Sequence, residues 1–329
     1  MEVVLLGCGP SSSVPALRCV LRGECRVCLE AHENRDSKNR RLNPSLLIRD
    51  VARDVNVLID CGKTFRESML RSFPALGTQH VDAVVLTHGH ADACLGLDDL
   101  REVQRFDVHI DPKTGESQKK PHEPMGLHCN AATQAELGDK FSYLMEKEEE
   151  RLQREALTNG TGGGDDSKSD APFRWVAKLQ WKIFDWWKRF NVCGFDVLPF
   201  PVEHGKGYLS SAFEFGGEFG VRIVYISDVS ELTIEAHKYL NDHEARAPID
   251  VLIIDALYLE NFHSTHMNLQ DVLHDIRTIR PRRTILTGMS HEFDYETSSA
   301  ELAAISEREG LVVEMGYDGM RLQFPAPSQ

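Results

Sequence analysis

The sequence predicts a mixed α/β fold in which two sheets pack face to face with helices outside. Short apolar strands and helices occur in both halves of the 329-residue chain. Two halves of similar plan each need a partner for one sheet face, and packing the two sheets together buries both faces. In the second half, strands are predicted at residues 195–200, 210–215, 222–226, 251–254, 284–286 and 311–315, with helices at 235–240, 269–279 and 298–308.

The first half contains a predicted hairpin and several strands that end in polar residues. Strands are expected at residues 1–6, 45–48, 55–59, 83–86 and 126–129, with the charged stretch 49–54 turning the hairpin. Helices are expected at residues 64–71, 95–106 and 131–144, and Leu95, Leu100 and Val103 suit the buried face of the second. Residues 107–122 are polar and are predicted to form an exposed loop.

One low-complexity segment divides the chain without defining a second domain. Residues 158–170 (TNGTGGGDDSKSD) cannot bury enough apolar surface to offset their ordering entropy, which predicts disorder. We assign residues 1–329 to a single domain with an insertion at about 107–190, in which the helix at 131–144 has 145–157 as an optional continuation. Four tryptophans in residues 173–190 favour core packing or a lid over membrane binding, and a partner surface stays open: Trp175, Trp181, Trp186 and Trp187.

Composition limits the partners of this chain. The net charge of −14 gives no fold-wide basic footprint, so nucleic acid is a disfavoured partner. No apolar run approaches the roughly 20 residues that span a bilayer, and the chain opens directly as a strand rather than with a signal sequence. Eight cysteines are too sparse for a disulfide scaffold. We expect a soluble cytoplasmic protein without membrane contact, and a homodimer stays open.

The stretch at residues 84–92 carries the strongest chemical signal. An apolar strand ends there in His88, Gly89 and His90, and Asp92 follows two residues later. Imidazole and carboxylate together suit Zn, Mn or Fe, whereas two loop histidines beside an Asp by chance are the alternative. Further His and Asp residues lie at or just after the ends of other predicted strands, which favours a shared site: His204, Asp228, Asp255, His263, His266 and His291.

Motifs from end to end of the chain give these residues a context. The pieces are LIDCG at 58–62, LTHGHAD at 86–92, PVEHG at 201–205, YISD at 225–228, THMNLQDVL at 265–273, LTGMSHEFD at 286–294 and GYDGM at 316–320. In these pieces the chain resembles the metallo-β-lactamase fold superfamily of metal-dependent hydrolases. Within it, the chain is most similar to the phosphoribosyl cyclic phosphate phosphodiesterase family. The resemblance implies a four-layer αβ/βα sandwich with the site between its halves.

The resemblance also assigns roles at the matching positions. It implies a first metal site of His88, His90 and His204, with Asp228 bridging to a second site that includes Asp92. Asp92 and Asp228 would thereby take part in catalysis. His266 takes the place of the histidine near the substrate phosphate, a general acid, and Asp60 that of a residue orienting the metal-binding histidines.

Two departures from the family pattern concern the second metal. The family places a histidine directly after the Asp of the HxHxD motif, where this chain has Ala93. It places another metal-binding histidine where this chain has Gly288. Two carboxylates without imidazoles make a poor zinc site. We therefore expect one tightly bound Zn²⁺ or Mn²⁺ and a second metal that is weak or absent.

A cysteine cluster is assigned by the same resemblance. In the family, cysteines near the N-terminus join a histidine of the LTHxSH run in a structural zinc site. Here the matching residues are Cys19, Cys25, Cys28 and His291, which would form a closed tetrahedral set. The spacing from Cys19 to Cys25 is longer than in the family. Free thiols in a reducing cytosol are the alternative.

The resemblance and the motifs together favour a metal-dependent hydrolase. The reaction it implies is attack by a metal-bound hydroxide, formed from water whose pKa the metal lowers to about 7, on a small phosphodiester that includes cyclic ones. Two alternatives remain open on the same fold. One is a hydrolase of another ester class, such as a thioester, a lactone or a nucleic acid. The other is a non-catalytic metal-binding protein with a degenerate second site.

Overall fold

The strands form two seven-stranded sheets and one separate hairpin. A computed structural model describes residues 1–110, 114–115, 117–121, 123–146 and 176–324. The strands in these residues are β1 (Glu2–Gly7), β2 (Ser45–Asp50), β3 (Val55–Ile59), β4 (Ala83–Val85), β5 (Phe106–Ile110), β6 (Ser117–Pro121), β7 (Met125–Cys129), β8 (Leu179–Ile183), β9 (Phe190–Val192), β10 (Phe195–Glu203), β11 (Leu209–Phe215), β12 (Ile223–Ile226), β13 (Val251–Asp255), β14 (Thr284–Thr287), β15 (Val313–Met315) and β16 (Met320–Gln323). The N-terminal sheet has the order β16-β1-β2-β3-β4-β7-β8, and the C-terminal sheet has the order β15-β14-β13-β12-β11-β10-β9.

Helices cover the outer faces of both sheets. They are α1 (Leu17–Arg22), α2 (Arg26–Glu33), α3 (Phe65–Leu76), α4 (Ala91–Cys94), α5 (Ala131–Leu137), α6 (Ile234–Leu240), α7 (Leu269–Ile279) and α8 (Tyr295–Glu309), with 3-10 turns at Leu97–Glu102, Ser142–Leu144 and Gly217–Phe219. The side chains of Asn268 and Asp294 accept hydrogen bonds from the first turns of α7 and α8, which places the starts of both helices.

Period-2 alternation along β1 builds two cores at once. Val3 and Leu5 join a core that also contains Phe200 and Phe213 of the C-terminal sheet. Val4 and Leu6, on the opposite face of the strand, lie in a second core that is shared with α3. Successive strand side chains point to opposite faces, so an uninterrupted apolar strand is one covered on both sides. The predicted sandwich of two sheets with helices outside is confirmed.

The predicted helix at residues 95–106 is wrong. The chain forms only the four-residue α4, then a 3-10 turn, and β5 starts at Phe106. Gly96 explains the break, because its backbone N–H donates to Cys61 O at 2.7 Å, and a Cβ there would lie 2.5 Å from Gly62 O. This long-range contact ends α4 early. Leu95, expected to be buried, is 43% exposed, whereas Leu100 and Val103 are buried as predicted.

The exposed loop predicted at residues 107–122 is also wrong in part. Strands β5 and β6 pair there as an antiparallel hairpin, in register from Phe106 with Pro121 to Ile110 with Ser117. Gly115, with a φ of +69°, lies in the connection between the strands, where a left-handed residue suits a hairpin. Val108 and Ile110 supply the β-branched residues that favour strands, although both are more than half exposed.

Three of the four predicted tryptophans lie within the described residues, and all three pack against core. Trp181, on the edge strand β8, packs against the core under α3. Trp186 packs against the core between the sheets and donates its indole N–H to Ser211 Oγ at 3.0 Å. Trp187 stacks on Phe200 with ring centroids 5.5 Å apart. Core packing is therefore the role of Trp181 and Trp186, whereas Trp187 covers the core residue Phe200 and is itself 37% exposed.

Some predictions fall on residues outside the described ranges. The disorder predicted for residues 158–170, nearly all of the optional helix at 145–157, and Trp175 belong to this group. Residues 131–144, predicted as one helix, form α5 and then a separate 3-10 turn. In the part of the chain that the structure describes, no helix is both long enough and apolar enough to cross a membrane.

Candidate active site

Three histidines from distant parts of the chain meet at one end of the two sheets. His88 and His90 follow β4, and His204 directly follows β10. One ring nitrogen from each lies within 4.8 Å of the others. His88 and His204 are buried, whereas His90 is exposed. The predicted first metal set is thus brought together by geometry, and three imidazoles are a common set for a catalytic zinc.

His88 is oriented by a chain of hydrogen bonds that starts at Asp60. The Thr87 hydroxyl donates to Asp60 Oδ2 at 2.8 Å, and the Thr87 N–H donates to Asp60 Oδ1 at 2.9 Å. With its proton engaged there, Thr87 Oγ accepts from His88 Nδ1 at 2.8 Å. His88 Nε2 is then left as a buried acceptor without a hydrogen-bond partner among the described residues. An orphaned imidazole nitrogen aimed at two other imidazoles fits a cation.

Asp60 therefore acts on one histidine only, and through Thr87. The sequence predicted that Asp60 orients the metal-binding histidines, and the described contacts link it to His88 alone. Thr87 was not singled out, although it is the first polar residue after the apolar run of β4. Ser45 Oγ also donates to the Asp60 backbone carbonyl at 2.9 Å, which fixes this strand end.

His204 is oriented by a backbone carbonyl. Its Nδ1 donates to Thr265 O at 2.8 Å, so Nε2 is the free acceptor. That Nε2 lies 3.1 Å from His90 Nδ1. Burial, followed by the nearby His204, lowers the pKa of His88 well below its usual value and lowers that of His90 as well. Both rings are consequently neutral near pH 7, which is the form that binds a cation.

A second group lies beside the three histidines and contains Asp228 and His266. Ligand atoms of Asp228, His266 and His204 lie within 4.8 Å of one another. His266 Nδ1 lies 3.8 Å from Asp228 Oδ1 and donates to Asp255 Oδ2 at 2.6 Å. Burial opposes the charged form of His266, but the charge and hydrogen bond of Asp255 and the charge of Asp228 raise its pKa to about 9. His266 is thus an imidazolium at pH 7.

Asp255 is the site residue that sequence reasoning left without a role. It ends β13 and is fully buried, and burial raises its pKa to about 6 against the opposing effect of His266. One carboxylate oxygen accepts from His266, and the other, Oδ1, has no partner among the described residues. Its position at a strand end was the available signal. Its pairing with a residue eleven positions later required the fold.

The residues expected at a second metal are less well assembled. Asp92 is buried in α4 but belongs to neither group of ligand atoms. Ala93 is buried beside it. Gly288 has a φ of +69°, and a Cβ at this position would lie 2.0 Å from Asp255 Oδ1. The unpartnered carboxylate oxygen therefore occupies the space that a side chain at 288 would need.

The predicted cysteine cluster is also assembled. Ligand atoms of Cys19, Cys25, Cys28 and His291 lie within 4.8 Å of one another, with His291 Nδ1 at 3.5 Å from Cys19 Sγ and 3.3 Å from Cys25 Sγ. Two backbone N–H groups donate to the sulfurs of Cys25 and Cys28. Burial, with the neighbouring thiols Cys25 and Cys19, raises the Cys28 pKa to about 12. A dication would reverse that shift, because it binds thiolates directly.

The match to known families agrees with this geometry. Residues 55–289 match the model of the beta-lactamase superfamily domain. That match covers most of the chain, so the protein belongs to the metallo-β-lactamase fold superfamily of metal-dependent hydrolases. The superfamily predicted from the motifs is confirmed. Binding of a divalent metal is implied by this membership, and the histidine group is where the described residues fit it.

Two solved structures are similar to this chain over nearly its whole length. A diphosphatase from the PhnP family, known from a crystal structure, is 25% identical with a TM-score of 0.68, over 99% of this chain and 98% of that one. Zn²⁺-bound PqqB from Methylobacterium extorquens is 17% identical with a TM-score of 0.66, over 98% of this chain and 100% of its own, which shows a common fold.

Another relative is an octanoyltransferase from Porphyromonas gingivalis (strain ATCC BAA-308 / W83). It is 24% identical over 325 residues, which are 97% of this chain and 51% of the octanoyltransferase. The chain thus spans about half the length of that relative.

Proposed function

We propose that this protein is a metal-dependent phosphodiesterase that hydrolyses a small phosphodiester, cyclic ones included. The observation that carries the proposal is the pairing of two groups: the three imidazoles of His88, His90 and His204 on one side, and the His266 imidazolium held by Asp255 on the other. Phosphoryl transfer requires positive charge against the phosphate oxygens and an acid for the leaving oxygen. The likeness to a diphosphatase of the PhnP family supports a phosphate-centred substrate.

His88, His90 and His204 would hold the metal, with Asp228 beside them. When bound, a Zn²⁺ or Mn²⁺ ion supplies Lewis acidity and a nucleophile from water at neutral pH. The residues here do the rest. Thr87 and Thr265 O fix the rings of His88 and His204 through Nδ1, which would leave Nε2 of each ring available to a cation. The lowered pKa values of His88 and His90 mean that these two rings need no proton release before they bind it.

His266 is the proposed general acid. Its Nδ1–H is held by Asp255, and its Nε2 has no hydrogen-bond partner among the described residues, so the Nε2–H can be given to a leaving oxygen. Asp255, which is fully buried, keeps the ring charged and oriented. His263 lies next to His266, with ring centroids 5.3 Å apart, and provides a second imidazole at the same edge of the site.

The test is hydrolysis of bis-p-nitrophenyl phosphate by protein loaded with Zn²⁺ or Mn²⁺. We expect the wild type to release p-nitrophenol, His90→Ala to abolish release, and His266→Asn to lower kcat by about 10²–10⁴-fold, the usual contribution of general acid catalysis. His243→Ala is the matched control, because His243 is exposed, its ring bonds to the Thr278 carbonyl, and it belongs to neither group of ligand atoms. A metal-loaded wild type without activity, or His90→Ala at the wild-type rate, contradicts the proposal.

A further inference from the structure

The third histidine of the site is held differently from the other two. His88 and His204 each engage their outer ring nitrogen in a hydrogen bond, to Thr87 and to Thr265 O. His90 directs Nδ1 towards His204, and its Nε2 has no hydrogen-bond partner in the described ranges. It is also the exposed member of the group. An exposed imidazole without an outer hydrogen bond is free to rotate unless something else fixes its plane.

Tyr208 supplies that constraint. Its ring is stacked on His90, with centroids 4.7 Å apart and an angle of 8° between the planes. Tyr208 follows His204 by four residues in the turn from β10 to β11, and this turn is closed by hydrogen bonds between His204 and Tyr208 and from Tyr208 to Gly205. The turn that positions His204 therefore also positions the Tyr208 ring against His90.

Glu136 anchors the tyrosine on its outer side. The Tyr208 hydroxyl donates to Glu136 Oε2 at 2.9 Å and accepts from the Gly89 N–H at 3.3 Å. The carboxylate lies directly over Gly89, since a Cβ at Gly89 would be 2.0 Å from Glu136 Oε2. Glu136 belongs to α5, which lies in the region 107–190 outside the motifs shared with the resembled family. The same helix directly follows β7 of the N-terminal sheet, so this contact ties the tyrosine to the fold that carries the site.

We propose that Tyr208, held by Glu136 and the Gly89 N–H, is the positioning residue that fixes the His90 imidazole for metal binding. This inference rests on the proposed function in so far as His90 is taken to be a metal ligand. Stacking takes the place of the outer hydrogen bond that orients metal-binding histidines in general. Glu136 sets the position of the tyrosine ring and does not itself contact the metal.

The inference predicts a graded loss of metal affinity. Tyr208→Leu removes the stacked ring and weakens Co²⁺ binding at the histidine site by about 10–100-fold, as loss of an orienting partner does elsewhere. Tyr208→Phe keeps the ring but loses both hydroxyl contacts, so its affinity lies between Tyr208→Leu and the wild type. Glu136→Ala resembles Tyr208→Phe, and Glu136→Gln, which keeps an acceptor, retains more affinity than Glu136→Ala.

The experiment is a Co²⁺ titration of the full chain followed by visible absorption. Thiolate-bound cobalt has an intense charge-transfer band that imidazole-bound cobalt lacks, so the cysteine cluster and the histidine site are measured separately. Tyr143→Phe is the matched control, since the Tyr143 hydroxyl also donates to a carboxylate, that of Asp98, at 3.1 Å. We expect this variant to bind Co²⁺ as the wild type does.

The outcomes separate this inference from the proposed function. Unchanged Co²⁺ affinity and an unchanged histidine-site spectrum in a Tyr208→Leu protein with wild-type circular dichroism overturn the inference alone. If Tyr208→Leu does not fold, Tyr208→Phe decides in the same way. Weakened Co²⁺ binding in these variants supports the inference even where the wild type fails to hydrolyse bis-p-nitrophenyl phosphate, a failure that refutes only the phosphodiesterase activity.

Discussion

Individual residues at the site are constrained by contacts that lie far apart in sequence. The motif at residues 86–92 predicted that His88 and His90 would lie together, because both follow one strand. The position of His204 at a strand end favoured a shared site, and the family resemblance assigned it to the same metal as His88 and His90. Thr87 and Tyr208 escaped prediction, because Thr87 bonds to Asp60, 27 positions away, and Tyr208 bonds to Gly89, 119 positions away.

Removing the Thr87 hydroxyl tests the connection between Asp60 and His88. Thr87→Val keeps the shape but leaves buried Asp60 Oδ2 without its donor and His88 Nδ1 without its acceptor. We expect the free energy of unfolding to fall by about 1–3 kcal/mol, the usual penalty for an unsatisfied buried group. Metal affinity should fall by about 10–100-fold. Urea unfolding and a metal titration measure the two effects. Thr87→Ser keeps the hydroxyl, so its unfolding free energy and metal affinity should stay near the wild-type values.

Gly288 tests whether Asp255 blocks the position of a second-metal histidine. Gly288→Ala places a Cβ on a left-handed residue, 2.0 Å from Asp255 Oδ1. Gly310 is also left-handed, with a φ of +64°, but a Cβ there would have no atom within 4 Å. Gly310→Ala should lower the unfolding free energy by about 1–2 kcal/mol, the conformational term alone. Gly288→Ala should lower it further, because Asp255 must also move. Equal values from thermal or urea unfolding of the two variants would show that the oxygen imposes no constraint.

At the scale of the element, strands were better predicted than helices and connections. The hairpin of β2 and β3 was predicted with a correct second strand, because apolar runs and a charged turn are local signals. The helix expected at 95–106 failed on a contact between Gly96 and the Cys61–Gly62 backbone, which joins elements roughly 35 residues apart. Local pattern carries no information on such contacts.

The α1–α2 unit is the element whose stability we expect to depend most on the proposed structural zinc. Its own core consists of only five buried residues: Val14, Cys19, Val27, Cys28 and Ala31. Leu17 and Leu21 on α1 are more than 70% exposed, so α1 contributes little further burial. A small unit of this kind ordinarily requires a staple such as zinc.

Cys25→Ser should therefore remove one zinc per chain and loosen this unit. We expect elemental analysis to show one zinc fewer than in the wild type, and hydrogen exchange to become faster in residues 16–33 while the two sheets keep their protection. Cys193→Ser is the control, because Cys193 is exposed and lies outside the cluster. An unchanged zinc content in Cys25→Ser would show that the group of Cys19, Cys25, Cys28 and His291 does not bind zinc.

At the scale of the whole molecule, the first and last strands that the structure describes are paired. Strand β1 pairs with β16, and the Met1 amino group donates to Phe324 O at 3.0 Å. Asp318, in the loop before β16, accepts from the backbone N–H groups of Cys8 and Leu42 at 3.1 and 2.9 Å and lies 3.3 Å from the Arg71 guanidinium. This one carboxylate connects four segments, and the GYDGM motif had marked its position without indicating its partners.

Asp318 makes stability depend on pH in a defined direction. Burial raises its pKa from 3.8 to about 6 against the opposing effects of Arg71 and the N–H donors. Between these values the folded state holds a proton that the unfolded state has lost, so stability falls as the pH rises from about 4 to above 6. The full effect is on the order of 3 kcal/mol. Asp318→Asn lacks this dependence.

Urea unfolding of the wild type and of Asp318→Asn measures this effect at pH values of about 4.5, 5.5 and 7, which roughly span the range between the unfolded and folded pKa values. The stability advantage of the wild type over the variant should shrink as the pH increases. A difference that stays constant across the series would mean that Asp318 keeps an ordinary pKa in the folded protein.

The central claim is that His88, His90 and His204 bind one divalent metal. An anomalous difference map from a crystal of the zinc-loaded protein, collected at the zinc edge, tests it most directly. We predict a peak at about 2.0–2.1 Å from His88 Nε2, His90 Nδ1 and His204 Nε2, the usual zinc–nitrogen distance. A second peak is predicted within the Cys19, Cys25, Cys28 and His291 group. A fully zinc-loaded crystal with no anomalous density at the three histidines would contradict the account.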